Sequence, residues 1–408
     1  MSSYLEIKKQ LEKYWFSYLG ENSKRFSSST ISGASPPSVF VGRYGYPKVN
    51  IGPMVPADIH GDTSILDSPE AWLGKSLQEI LNYRLSLVRG LNSIKIDDLE
   101  NKFILSLQEM TMSSKPAESE LNFHKIPTFH QSLLSNQNND LNKEFTPFGP
   151  QAEIKSFKVT SNTSTNKKID NLYSDNNIRA NDAVVDLYNN GIEISQINKV
   201  LSLGMLGRKN KRRIVPTRWS ISATDDIISS YLVKRIELYQ SIDKFEVIKY
   251  NHFSNYYSII FVPSEVWSFE MVEAWYDQNN VNKFFLESDY EDTTGLDHYP
   301  KIAGAYFAAK LGILEYLTSN KKRKCSVLVL REIRPEYLVP LGVWQIREGI
   351  REALRSKHVA HTTTSTFSDF RNALLYACKG MTVPLFDWLK YSIIYENYGK
   401  KTLISDFF

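Results

Sequence analysis

The residues best suited to chemistry lie in one stretch of the chain, between residues 208 and 226. Five of the six residues 208–213 are cationic: Arg208, Lys209, Lys211, Arg212 and Arg213. Such a cluster can neutralise several DNA phosphates, which gives binding that depends steeply on salt and little on sequence. Arg218 and Trp219 follow, and an indole beside a guanidinium can stack on an exposed base. The alternative is a solvated loop followed by a core tryptophan, since a run of charged residues is more often a solvated surface segment than a binding site.

The same stretch ends on Asp225 and Asp226, the best adjacent carboxylate pair for a divalent metal of the nuclease type. Capping of a helix predicted over residues 227–238 explains Asp225 as well, and we favour capping. With Arg43, these aspartates are the candidate catalytic residues. The two cysteines and seven histidines lack the spacing of metal ligands, so no metal site is predicted.

A tight turn between two short predicted strands is a second candidate site. Residues 39–41 and 48–51 have strand patterns. The turn between them presents Arg43, Tyr44 and Tyr46, where glycines let a backbone approach a ligand. A well-packed β-hairpin without a ligand is an equal alternative.

The last eight residues, 401–408, carry an unusual apolar group for a chain end. Ile404, Phe407 and Phe408 fall at i, i+3 and i+4, on one side of a helical turn. Such a plug anchors a chain in a partner's pocket or folds back onto its own core. Chemistry alone does not separate these two outcomes.

Bulk composition sets the class of protein. The 408 residues suffice for two or three domains, and 42% hydrophobic with 23% charged residues is ordinary for a soluble globular chain. A net charge of +4 is mild, so any nucleic-acid contact must depend on local clustering. Two cysteines predict reduced, buried thiols, and neither an export signal nor a membrane span is visible. We expect a cytoplasmic protein.

The elements that must position these residues are both helical and extended, which predicts a mixed α and β (α+β) fold of two globular domains. The first domain is predicted over residues 1–262, with a polar insertion at about 113–167, and the second over residues 263–400. A flexible tail follows at 401–408. Helices are predicted over residues 4–19, 70–110, 178–203, 303–317 and 381–394. The pattern also predicts strands around a turn at 252–255, a buried strand at 326–330, an acidic loop at 287–292 and a charged surface helix in the later half of 338–354.

Four long stretches resemble the archaeal Nre family of DNA repair proteins. They read FVGRYGYPKVNIGP at 40–53, VPTRWSISATDD at 215–226, AGAYFAAKLGILEYL at 303–317 and RPEYLVPLGVWQIRE at 334–348. The resemblance implies a role in tolerance of DNA damage. It also implies binding to the sliding clamp PCNA through a C-terminal PCNA-interacting motif. Some members carry an N-terminal four-cysteine zinc element that this chain lacks.

In the family's motif a glutamine, an aliphatic residue and an aromatic pair are separated by free positions. Ile404 takes the aliphatic position, Phe407 and Phe408 form the aromatic pair, and Lys401 stands where glutamine is usual. An ammonium group donates hydrogen bonds but cannot accept them, so it replaces glutamine only in part.

We therefore expect a DNA-damage repair protein that PCNA recruits to DNA and that contacts DNA through the basic loop. The alternative is a repair enzyme that acts on damaged DNA with a metal or nucleotide cofactor. Its site would lie at the domain interface, where Arg43, Tyr44, Arg218 and Asp226 converge. Glu315 and the pair Asp297-His298, in the second domain, could complete that site. The expected partners are PCNA and DNA, with no membrane, and no particular cofactor is assigned.

Overall fold

The computed structural model describes residues 13, 17–18, 23–129, 149–277, 280–337, 339–355 and 362–398. They form two compact units. The N-terminal unit comprises the described residues up to Ile228 together with 339–342, and the C-terminal unit comprises the remainder. Most of the helix predicted over 4–19 lies outside the described residues, as does the whole tail at 401–408. No helix in the described part of the chain is long and apolar enough to cross a membrane.

A six-stranded sheet forms the centre of the N-terminal unit. Its strands are β1 (Thr30–Ser35), β2 (Val39–Val41), β3 (Lys48–Pro56), β4 (Leu87–Lys95), β5 (Ala117–Phe123) and β6 (Gln151–Val159). They lie in the order β1–β5–β6–β4–β3–β2, and every neighbouring pair is antiparallel except β4 and β6. Alternate residues of β5 are buried, as the two-residue period of a strand requires. Val55, Val88 and Leu121 thereby share one apolar cluster with Phe26 and Ile31.

Helices flank this sheet. They are α1 (Leu77–Leu85), α2 (Lys102–Met112), α3 (Lys167–Ser174), α4 (Ala180–Asn189), α5 (Ile194–Ser202) and α6 (Thr217–Ile236). The residues of α6 from Ser229 onward belong to the C-terminal unit. Ser76 and Glu79 form a capping box at the start of α1, where two otherwise unsatisfied N–H groups find acceptors. The helical pattern predicted over 178–203 is confirmed by α4 and α5, which are separated by a turn that contains Gly191.

Two predictions for this unit were wrong in part. The helical pattern over 70–110 contains the strand β4, because α1 ends at Leu85 and Val88 enters the sheet core. The supposed polar insertion at about 113–167 supplies β5 and β6, which lie inside the sheet. Its polar residues alternate with buried ones, so a strand was hidden in a polar composition. Residues 130–148 of that segment lie outside the described residues.

The C-terminal unit contains a second six-stranded sheet. Its strands are β7 (Phe245–His252), β8 (Asn255–Val262), β9 (Ser268–Asp277), β10 (Asn280–Asp292), β11 (Ser326–Ile333) and β12 (Thr363–Phe367). Their order is β10–β9–β11–β8–β7–β12, with β9 and β11 parallel and the other pairs antiparallel. The predicted hairpin around 252–255 is confirmed. Phe253 and Ser254 both adopt positive φ, the geometry that suits a two-residue hairpin turn.

The helices of this unit are α7 (Gly304–Tyr316), α8 (Trp344–Arg355), α9 (Phe370–Cys378) and α10 (Leu385–Leu389). The predicted helix at 303–317 is confirmed as α7, whose residues from Ala305 to Glu315 are all buried. A Cβ on Gly312 would lie 3.1 Å from Ile350 Cγ2 and 3.2 Å from the carbonyl oxygen of Arg347. The glycine therefore permits the close packing of α7 on α8.

The structure corrects three predictions for this unit. The boundary placed between residues 262 and 263 differs from the observed division, because β8 pairs with β11 and carries β7 into the same sheet. The supposed acidic loop at 287–292 is the end of β10. The later half of 338–354 is helical, but most of α8, including Arg347 and Glu348, is buried rather than on the surface. Fold class itself is as predicted, a mixed α and β protein.

Candidate nucleic-acid interface

The turn between β2 and β3 exposes aromatic and basic side chains. Val41 pairs with Ile51, so the segment is a hairpin. Tyr44 is 80% exposed and Tyr46 50% exposed, and the guanidinium of Arg43 lies 5.3 Å from the centroid of the Tyr44 ring. Gly45 has φ +83°, and a Cβ there would lie 2.7 Å from the carbonyl oxygen of Lys48. The glycine is needed for the turn that places these rings in solvent.

The start of α6 lies against this hairpin. The backbone N–H of Val41 donates to Oγ1 of Thr217, the first residue of α6, at 2.9 Å. In the next residues of the helix, Trp219 is 43% exposed, and its ring centroid lies 5.2 Å from that of Tyr46 at an interplanar angle of 56°. The stretches at 40–53 and 215–226, far apart in the chain, therefore meet on one surface.

The basic loop is held beside the same hairpin through the end of β4. Ile96 donates its N–H to the carbonyl of Pro47 at 3.0 Å, and its own carbonyl accepts the N–H of Ile214 at 2.8 Å. Lys48 and Lys95 are exposed and lie opposite each other in the β3–β4 ladder. We call the whole set the N-terminal basic–aromatic surface: Arg43, Tyr44, Tyr46, Lys48, Lys95, Arg208, Lys209, Lys211, Arg213 and Trp219. All ten side chains are exposed, and none of the cations forms an ion pair with a carboxylate among the described residues.

Arg212 does not belong to this surface, although its sequence neighbours do. It is only 7% exposed. Its guanidinium donates to the carbonyl oxygens of Gly207 at 2.7 Å, Tyr173 at 2.8 Å and Asp175 at 2.7 Å. Burial lowers the pKa of this guanidinium, while the nearby Tyr173 and Asp175 oppose that shift. Arg212 therefore fixes the loop from inside, and the prediction that it contacts DNA is withdrawn.

The candidate catalytic aspartates lie further along α6. The helix begins at Thr217 and not at residue 227, so the predicted capping role of Asp225 was wrong. Asp225 is fully buried, Asp226 and Arg218 are half-buried, and each of the three has a polar or charged partner. Asp226 follows Trp219 by two helical turns, about 10 Å along the axis. In the described parts of the chain no three His, Cys, Asp or Glu side chains are grouped to hold a metal ion.

The candidates from the second domain have partners within their own unit. Both carboxylate oxygens of Glu315 accept hydrogen bonds from Arg351, at 2.5 and 2.7 Å, and Glu348 binds the same guanidinium at 2.9 Å. Asp297 and His298 are exposed and share a 2.5 Å hydrogen bond, which raises the pKa of His298. Glu315 is thus the centre of an ion-pair cluster that joins α7 to α8.

Sequence reasoning missed two buried acids that hold the segment before the tail. Glu270 on β9 accepts the N–H groups of Ile393 at 2.7 Å and Ile394 at 2.9 Å, and the hydroxyl of Ser392 at 2.7 Å. Burial raises the pKa of Glu270 to about 7, against the lowering effect of these hydrogen bonds. Glu332 on β11 accepts the N–H groups of residues 382 and 383, at 2.7 and 3.0 Å. The only hint in the sequence was that each acid stands among apolar residues of a predicted or possible strand.

The predicted PCNA-binding residues Lys401, Ile404, Phe407 and Phe408 lie outside the described residues. The last described residue, Tyr398, packs edge-on against Phe370 and Phe245, with ring centroids 4.9 and 5.5 Å apart. The point from which residues 399–408 continue is therefore tied to the core of the C-terminal unit.

Two family profiles match the chain. Residues 14–282 match the profile described as archaeal Nre, N-terminal, and residues 291–407 match archaeal Nre, C-terminal. The protein belongs to the archaeal Nre family, as its four long stretches indicated. No solved structure matches it.

Three characterised relatives carry particular names. The chain is 36% identical over 355 residues to DNA repair protein NreA of Archaeoglobus fulgidus, covering 86% of this chain and 85% of the relative. It is 35% identical over 379 residues to DNA repair protein NreB of the same organism, covering 91% of each. It is 32% identical over 340 residues to DNA repair protein NreA of Haloferax volcanii, covering 80% of this chain and 79% of the relative.

Proposed function

We propose that the protein is a DNA repair protein that PCNA recruits to DNA through residues 401–408 and that contacts DNA through its basic loop. The names of three relatives, each similar over most of its length, support the repair role. The DNA contact rests on one observation in this chain. The hairpin that carries Tyr46, whose exposed ring contacts that of Trp219, is joined through backbone hydrogen bonds of Ile96 to the loop that carries the exposed cations.

The chemistry of that surface suits DNA with unpaired bases. Cations without carboxylate partners displace counterions when they bind phosphates. Each such contact makes log affinity fall with log salt concentration at a slope of about 0.7 to 0.9. Tyr44, Tyr46 and Trp219 offer rings on which bases of any identity can stack. Stacking requires bases that are not already paired, so we expect a preference for single-stranded or gapped DNA over intact duplex.

The clamp contact rests on the spacing of Ile404, Phe407 and Phe408. Ile404 lies six positions after Tyr398 in the chain, which allows a reach of about 20 Å at most. A bound clamp would therefore lie close to the C-terminal unit. Burial of each phenylalanine is worth about 1.5 to 3 kcal/mol. Loss of both should weaken binding by about 3 to 6 kcal/mol, roughly a hundredfold to ten-thousandfold.

The DNA contact is tested by measuring affinity for single-stranded DNA over a series of salt concentrations. The variant Arg208→Gln with Lys211→Gln should lower the salt slope by about 1.4. The control Lys283→Gln with Arg371→Gln removes the same charges from exposed positions of the C-terminal unit and should leave the slope unchanged. Equal slopes for the wild type and the loop variant would exclude the basic loop as a DNA contact.

The clamp contact is tested by binding of purified PCNA in a calorimeter. Phe407→Ala with Phe408→Ala should abolish measurable binding, whereas Lys401→Gln should preserve or tighten it, since glutamine can both donate and accept. Undiminished binding of the double alanine variant would overturn the assignment of the tail.

A further inference from the structure

A second cluster of exposed cations lies in the C-terminal unit. Helix α7 continues into a π-helical turn, Leu317–Lys321, which is followed by Lys322 in the left-handed conformation, with φ +51°. The side chains of Lys322 and Arg323 are exposed and that of Lys324 is half-buried. This short run therefore presents adjacent positive charges at the end of α7.

A distant part of the chain adds further cations beside this run. Lys324 donates its N–H to the carbonyl of Gln240 at 3.0 Å, and its carbonyl accepts the N–H of Ile242 at 3.2 Å. The exposed Lys244 follows two residues later. The hydroxyl of Tyr239 donates to the carbonyl of Thr318 at 3.4 Å, which ties the segment after α6 to the same turn.

Lys234 and Arg235, in the last turn of α6, complete the group, and both are exposed. We call the whole set the C-terminal cationic patch: Lys234, Arg235, Lys244, Lys322, Arg323 and Lys324. Within the part of the chain that the structure describes, none of them forms an ion pair with a carboxylate.

Two nearby carboxylates have partners outside the patch. Glu246 pairs with Lys321, and Glu237 accepts the backbone N–H of Trp267 at 3.0 Å. Asp243 is exposed, a single negative charge among the six cations. Interaction with the helix dipole accounts for Lys234 and Arg235 at the end of α6. It does not account for Lys244, the one cation of the 240–244 segment. A bound polyanion would offset the mutual repulsion of the six cations.

We propose that the C-terminal cationic patch binds the phosphate backbone of duplex DNA, as a contact separate from the basic loop. This inference rests on the DNA binding proposed above. The patch includes no exposed aromatic ring, in contrast to the N-terminal surface, so it is suited to phosphates rather than to bases. Duplex DNA presents those phosphates at the highest density, one charge per roughly 1.7 Å of axis.

The experiment measures the affinity of the full chain for a blunt duplex, over a series of salt concentrations. Lys322→Gln with Arg323→Gln should lower the slope of log affinity against log salt by about 1.8, which is 0.9 for each lost phosphate contact. The control Lys283→Gln with Arg371→Gln changes the same charges on the same unit and should keep the wild-type slope. Thermal unfolding of each variant verifies that it is folded.

Each result decides the proposal. A lower slope in the patch variant alone supports it. A wild-type slope in the patch variant, or an equal decrease in the control, overturns it while leaving the basic loop as a DNA contact. Wild-type protein that binds neither duplex nor single-stranded DNA would overturn the proposed DNA binding itself.

Discussion

The cationic cluster at 208–213 contains one buried cation, Arg212, and four exposed ones. We expect Arg212 to contribute to stability and not to DNA affinity, and this expectation can be tested directly. Arg212→Ala leaves the carbonyl oxygens of Gly207, Tyr173 and Asp175 without their donor. Gly207 is buried and Tyr173 half-buried, whereas Asp175 is exposed and its carbonyl can bind water instead. An acceptor shielded from water and left without a partner costs about 1 to 3 kcal/mol, so the free energy of unfolding should fall by at least about 2 kcal/mol. In a unit of this size that corresponds to a decrease in Tm of roughly 4 to 8 °C.

The neighbouring cations should behave in the opposite way. Arg208 and Lys211 are exposed and have no carboxylate partner among the described residues, so their replacement by Gln should change stability by less than about 0.5 kcal/mol. It should lower the salt slope of DNA binding instead. Calorimetric unfolding and fluorescence-anisotropy titration of the same preparations separate the two effects.

Arg212→Lys is the matched control for charge. It keeps the positive charge, but a single ammonium group cannot donate along the three directions of the guanidinium fork. We therefore expect Tm between those of the wild type and of Arg212→Ala. An Arg212→Ala variant with wild-type Tm and a reduced salt slope would refute this assignment, since Arg212 would then contact DNA instead of stabilising the loop.

Two further predictions concern other parts of the molecule. Trp219→Ala should weaken single-stranded DNA binding by about 1 to 3 kcal/mol, roughly 5- to 150-fold, in an anisotropy titration. The control Phe386→Ala removes an exposed ring of the C-terminal unit and should leave the affinity unchanged. Equal losses of affinity in the two variants would contradict the stacking role of Trp219. Glu270 has a pKa raised from 4.5 to about 7, so the folded protein binds the proton more tightly than the unfolded chain does. The contribution of this group to stability is therefore fully present below about pH 4.5. It should be lost as the pH rises from there through about 7, by up to about 3 kcal/mol in all. A Glu270→Gln variant with the same pH profile of unfolding would argue against this role.

Elements with a strong local pattern could be predicted from the sequence. The β7–β8 hairpin follows from two apolar runs around a short polar turn, and β11 from a continuous apolar run. The helix at 303–317 could be predicted as well, although its sequence did not identify α8 as the helix that packs against Gly312.

The start of α6 could not be predicted locally. Between Thr217 and Thr224 the helix contains serine, threonine and isoleucine, which favour caps, turns or strands over helix interiors. What positions the first turn is the bond from Val41 to Thr217, which joins residues 176 positions apart in the chain. The same bond brings Trp219 to Tyr46, a contact that the local pattern of neither stretch contains.

Charged residues were misjudged because their roles depend on distant partners. Glu291 looked like part of an exposed acidic loop, yet it is buried on β10 beside Lys310 of α7, with a nitrogen–oxygen distance of 2.9 Å. Burial of one charge without the other would cost several kcal/mol, so strand and helix must be formed together. Arg212 is the same case with carbonyl oxygens in place of a carboxylate. A buried cation with such a partner stabilises the fold. The exposed cations without carboxylate partners are therefore the candidates for binding phosphates.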